Sequence, residues 1–147
     1  MRTIQFRGKS AATCDWIYGY LVTMPDGISG YAIVGDHFKL PSCDAIGTEE
    51  YCEVLNDTIG QYSGLTDYRN NPVFEGDIIE TEGAMGIVRY GNHAPGTSTL
   101  DATSVGFYIE WLGELNGILR NDIGFWLDRR TSFICGNIYD NPGLLEA

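Results

Sequence analysis

Lysine is almost missing from this sequence: Lys9 and Lys39 are the only two in 147 residues. Seven arginines bring the basic count to nine against 20 acids, a formal net charge of −11. Coating a phosphate backbone needs many basic groups that displace counterions, so this balance argues against a general DNA-coating role. Histidine is scarce as well. His37 and His93 stand at no zinc-ligand spacing from Cys14, Cys43, Cys52 or Cys135, and those cysteines form no C-x-x-C pair. No metal and no cofactor is expected. No apolar run approaches the 18 or more residues of a membrane span, and residues 1–16 hold no unbroken apolar stretch of the kind a secretory signal needs. The expectation is a cytoplasmic protein without a membrane partner, its thiols reduced and packed as small apolar groups.

Catalytic signatures are missing too. Gly60 and Gly64 are not followed by the Lys-Ser/Thr of a phosphate-binding loop, and no G-x-S-x-G string occurs. Glu75 and Asp77 are neighbouring carboxylates of the kind that a magnesium-dependent nuclease would want near a phosphate. Gly76 between them reads instead as a turn. Acid–base work by His37 or His93 would need a nucleophile such as Cys52 or Ser63 beside it, and no local pattern brings these together. The sequence is therefore read as a non-enzyme, with no catalytic residues.

What the chain does have is glycine and aromatics. Its 19 glycines exceed the usual share of about 7 % and indicate many turns and bulges. Nine tyrosines, six phenylalanines and three tryptophans sit within a composition that is 44 % hydrophobic and 20 % charged, which is globular. Alternation with a period of two recurs, whereas no segment sustains a 3.6-residue period over three turns. Residues 2–7 alternate Ile4 and Phe6 with polar neighbours. Residues 16–24 carry Trp16, Tyr18 and Tyr20 on one side, and with residues 28–34 they form a hairpin across Pro25-Asp26-Gly27. A short strand is expected near His37–Leu40, a loop over 42–50, and a strand or helix end over 51–55. Residues 59–65 read as a tight connection and 67–72 as a loop. Strands are expected over 78–82, 87–90, 106–111, 123–127 and 132–139, with a helical turn over 142–146.

The fold class is thus all-β with short helical turns only. The expected division is an N-terminal β subdomain (1–57), a connecting segment (58–72) and a C-terminal subdomain (73–147). Charge follows this order unevenly. Residues 1–9 hold Arg2, Arg7 and Lys9 and no acid, residues 10–57 hold eight acids and one base, and residues 58–147 hold 12 acids and five bases. Tyr18, Tyr20, Tyr62, Tyr68 and Trp126 are the candidate binding residues, because exposed aromatics anchor interfaces and stack on bases. The bland alternative for each is core packing.

Several strings together resemble the YopX family of phage and prophage proteins: IQFRGK (4–9), WIYGYL (16–21), TIGQYSGLTD (58–67), VFEGDII (73–79), GFYIEW (106–111) and GNIYDNP (136–142). The resemblance runs through nearly the whole chain in order. It implies an all-β fold in which residues 70–140 look like a small SH3-like barrel beside an N-terminal β region, in a protein made inside a bacterial host cell. It implies no activity. Residues 94–105 and 42–49 look peculiar to this chain. Motif residues such as Gly60, Gln61, Tyr62, Gly76, Asp77, Gly136, Asn137 and Asp140 have a reading as turn formers.

The leading functional expectation is a non-enzymatic module that binds a host or phage protein. An acidic mimic or inhibitor of a DNA-processing enzyme is the first alternative, motivated by the charge. A weak nucleic-acid-binding module, using Arg2, Arg7 and Lys9 with nearby tyrosines, is the second. Nucleic acid is the less favoured partner of the three. Strand edges must be covered, and a homo-oligomer is one way to do so.

Overall fold

In this computed structural model the described residues are 3–23, 30–34, 51–93, 104–115 and 118–146. The expected strand at residues 37–40, the loop at 42–50 and the hairpin turn at 25–27 lie outside them. The chain divides into two compact units, Met1–Tyr62 and Ser63–Ala147.

The first unit is built on antiparallel strands: β1 (Phe6–Lys9), β2 (Trp16–Thr23), β3 (Tyr31–Val34), β4 (Tyr51–Val54) and the start of β5 (Gly60–Thr66), in the order β4-β3-β2-β1-β5. One face carries the core. Ile17, Ile33, Cys52 and Val54 are buried there, with Phe6, Leu21 and Ile59 packed against them. These positions alternate with outward residues along β2 and β3, as a pleated strand requires. Ser10 organises the β1–β2 connection. Its hydroxyl accepts from the Ala12 and Thr13 N–H groups at 3.2 and 3.3 Å, and the Cys52 thiol lies 3.5 Å away. A short 3-10 turn, Asn56–Thr58, follows β4; the Thr58 hydroxyl accepts from the Lys9 N–H at 2.8 Å and donates to the Leu55 carbonyl at 2.7 Å.

Two expectations shift here. The first strand starts at Phe6, leaving Ile4 exposed before it. Residues 59–65, read as a tight connection, fall mostly in strand β5 (Gly60–Thr66), because Gly60 and Gln61 complete a ladder with Arg7 and Phe6. Glycine content misled the reading, since a strand with a partner tolerates what an isolated one does not.

In the second unit β6 (Pro72–Phe74) adjoins β5. β7 (Asp77–Thr81), β8 (Ala84–His93), β9 (Ser104–Trp111) and β10 (Ser132–Asn137) form a four-stranded antiparallel sheet, order β10-β7-β8-β9. Val73, Ile79, Val88, Ile109, Trp111, Ile123 and Leu127 form its buried core. Gly86 pairs with Trp111 and lets Ile109 lie against its backbone, where a Cβ would collide with the Ile109 side chain.

Residues 123–127, expected as a strand, are instead a five-residue helix, α1 (Ile123–Leu127). Ile123 and Leu127 both enter the core, and the helix brings them about 6 Å apart along its axis, where a strand would spread them over about 13 Å. The mainly-β expectation holds, with short helical turns at Gly113–Leu115 and Pro142–Glu146 besides. The SH3-like barrel is not confirmed: among the described residues no closed barrel is found, β9 and β10 are the outer strands of the sheet, and the helix covers part of one face.

Candidate functional site

The outward face of the N-terminal sheet gathers most of the candidate residues. Residues directly opposite in an antiparallel ladder project from the same side. Lys9 pairs with Trp16, Arg7 with Tyr18, Tyr20 with Val34, and Val34 with Tyr51. Arg7 also pairs with Gly60 of β5, which places Tyr62, two residues on, on this same side. The Tyr62 N–H donates to the Gln5 carbonyl at 2.7 Å and holds it there. Trp16, Tyr18, Tyr20, Tyr51 and Tyr62 thus share one face with Arg7 and Lys9, opposite the core.

Tyr18 is 45 % exposed and Tyr20 55 %, while Trp16, Tyr51 and Tyr62 are half-buried. Trp16, Tyr18 and Tyr20 are successive outward residues of one strand, spaced about 7 Å apart by the rise of two residues. Two cations flank Trp16. The Arg7 guanidinium carbon lies 4.5 Å from the ring centroid and the Lys9 ammonium 5.4 Å. Arg7 is only 6 % exposed, so its charge is fixed beneath the aromatic row, whereas Lys9 is half-exposed at its margin. Exposed Glu53, opposite Ala32, lies at the other end of the face.

The other two candidates belong to the second unit. Tyr68 is exposed at the rim of a cleft of about 430 Å³ that Thr66, Asp67, Leu127, Asp128 and Arg130 also line. Its hydroxyl accepts from Arg69 Nε at 3.0 Å, and the Arg69 guanidinium lies 4.4 Å from the Phe133 ring. Trp126 packs edge-on against Trp111 at 5.2 Å and donates its indole N–H to the Arg120 carbonyl at 2.8 Å. That is a supporting position for the core, and the bland reading of this residue is the one its contacts fit.

Motif residues do local work. The buried Asp67 carboxylate accepts from the N–H groups of Arg69 and Asn71 at 2.9 Å each and from that of Ile134 at 3.1 Å, which ties β10 to the turn. Burial pushes its pKa up, but the hydrogen bonds from Asn71, Ile134 and Arg69 outweigh this and hold it below the ordinary carboxylate value. Asp77, half of the one candidate metal pair, accepts from the Phe74 N–H at 2.8 Å and closes a turn in which Gly76 takes φ +88°. The Gly76 carbonyl accepts from the Ile138 N–H at 2.9 Å, and the Tyr139 ring lies against its Cα. Asn137 Oδ1 accepts from the Tyr139 and Asp140 N–H groups at 3.0 and 2.9 Å. Among the described residues no group of three or more His, Cys, Asp or Glu side chains could hold a metal ion. Among the described residues no helix is long and apolar enough to cross a membrane.

Fold and face together define a small two-unit, mainly-β protein whose N-terminal sheet displays an aromatic outer surface. The chain belongs to the YopX family: the family described as YopX protein matches residues 5–146. A crystal structure of protein EF1440 from Enterococcus faecalis is similar in fold, with 22 % sequence identity, a TM-score of 0.52 and 99 % of each chain covered. No curated protein matches the chain.

Proposed function

We propose that the chain is a non-enzymatic binding module, working in the cytoplasm of a bacterial host, that docks its partner on the outer face of its N-terminal sheet. The observation that carries this reading is the display of Tyr18 and Tyr20 at about half exposure beside Trp16, on the side of the sheet away from the core. Aromatic side chains supply large contact area at low entropic cost and dominate interface energetics. Composition favours a protein partner over duplex nucleic acid. The position of Arg7 and Lys9 on the same face adds a cationic component that an apolar protein patch does not need.

Four acids of the second unit give the acidic-mimic alternative no support. Asp67 and Asp77 are buried and bond to backbone, Asp122 pairs with Arg120 at 2.8 Å, and Glu110 lies 3.6 Å from Arg89. These acids serve the fold rather than one continuous free surface.

The test compares what tagged wild-type protein and the Tyr18→Ala/Tyr20→Ala variant retain from host cells. A stoichiometric component lost from the variant is the expected result. Identical retention by both proteins overturns the reading.

A further inference from the structure

The outer face of the N-terminal sheet combines a row of aromatic side chains at regular spacing with cations set against that row. We propose that this face binds single-stranded nucleic acid, with bases stacked on Tyr18, Tyr20 and Trp16 and the phosphate backbone following Lys9. The inference rests on the docking face proposed above and names its occupant.

Spacing comes first. Outward side chains along β2 repeat about every 7 Å. An unstacked strand can place successive bases on rings at such intervals, whereas a duplex keeps its bases covered and offers only edges and phosphates. Base–aromatic stacking tolerates any sequence because every base has a π-face. Neighbouring Tyr62 and Tyr51 widen the platform on either side of Tyr20.

Charge comes second. The net −11 opposes this occupant only if the whole protein acts at the site. At physiological ionic strength fields are screened over about 8 Å, so a bound strand feels the groups beside it. Among the described residues the charges nearest Trp16 on this face are Arg7 and Lys9, at 4.5 and 5.4 Å from its ring. Arg7 is held by burial, which keeps its charge under the platform at no ordering cost on binding. Exposed Glu53 marks the far end, two strands away from β2, and sets the direction in which a polyanion is disfavoured. Acids beyond that distance act only weakly on the strand, and with two local cations stacking supplies most of the affinity.

The experiment is a fluorescence titration of the full chain with a short thymidine oligonucleotide at low salt, alongside the matched duplex and inorganic polyphosphate. Oligonucleotide binding that quenches tryptophan emission, exceeds that of duplex and polyphosphate, and weakens by at least about tenfold in Tyr18→Ala/Tyr20→Ala is expected. Tyr18→Phe/Tyr20→Phe keeps the rings and should bind within about twofold of wild type; Trp16→Phe should lose the quenching while retaining most affinity. Lys9→Ala should lower the salt slope by about one. Far-ultraviolet circular dichroism and melting show that each variant is folded. No binding at low salt, equal binding of polyphosphate, or an unchanged affinity in the double alanine variant overturns the proposal. If the oligonucleotide fails while the double alanine variant still loses a protein from cell extracts, the docking face stands and its occupant is a protein.

Discussion

The guanidinium of Arg7 lies over the indole of Trp16, its central carbon 4.5 Å from the ring centroid, although the two residues belong to different strands and pair with different partners. This contact fixes a half-exposed aromatic on the solvent side of a sheet whose other side is the core. It costs the protein a buried cation, offset in part by the ring's negative face. Arg7→Ala is expected to destabilise the first unit by about 1–2 kcal/mol, through lost packing and lost cation–π attraction. Thermal unfolding followed by tryptophan emission measures it, and an unchanged melting curve would show the contact to be incidental.

Asp67 predicts an acid-sensitive second unit. Its folded pKa is depressed, so its contribution is fully present above the unfolded value of about 4 and is lost as the pH falls through the native value. Asp67→Asn removes the charge and should cost about 2 kcal/mol at pH 7, because the Ile134 N–H then faces an uncharged amide. The penalty should shrink as the pH falls below 4. Urea unfolding of both proteins at pH 7 and pH 3 provides the comparison, and a penalty of the same size at both values would refute the linkage.

Gly76 sits at φ +88° with the Tyr139 ring so close that a Cβ would lie 2.9 Å from its Cε2 atom. Gly76→Ala is therefore strained both in backbone and in contact, and should cost about 2–3 kcal/mol. Gly83, also at positive φ, has open space around it, so Gly83→Ala should cost only about 1 kcal/mol. Equal melting temperatures for the two variants would disprove the role of Tyr139.

Two aromatics read alike in the sequence should behave differently. Trp126→Ala opens the contact with Trp111 and leaves the Arg120 carbonyl only the Trp111 indole N–H as a side-chain donor, for an expected loss of about 3 kcal/mol in stability. Tyr20→Ala should fall within about 0.5 kcal/mol of wild type, because its side chain is largely in solvent. Denaturant titrations of the pair decide this, and a severe loss from Tyr20→Ala would make it a core residue.

Much of this arrangement is legible in the sequence, and the reasons are local. The alternation WIYGYL already puts Trp16, Tyr18 and Tyr20 on one side, and the Pro-Asp-Gly string announces the return strand. Pairing of β1 with β5 is not legible, since it joins residues more than 50 apart and rests on the Arg7–Gly60 register. That register is what brings Tyr62 to the face. Helix α1 is hidden because five residues rich in Ile, Phe and Trp cannot display a 3.6-residue period. Asp67 reads as an ordinary loop acid, and only the approach of Ile134 reveals why it is buried. The roles of Gly76 and Asn137 as turn formers follow from residue type alone, and their contacts fit that reading.

The outer face of the N-terminal sheet as the docking surface is tested most directly by photo-crosslinking inside host cells. A benzophenone amino acid is placed at Tyr20 in one protein and at Tyr90 in another, two positions of nearly equal exposure, 55 % and 54 %. A discrete adduct from Tyr20 and none above background from Tyr90 is the predicted result. An adduct from Tyr90 with none from Tyr20 would contradict the account and move the binding surface to the second unit.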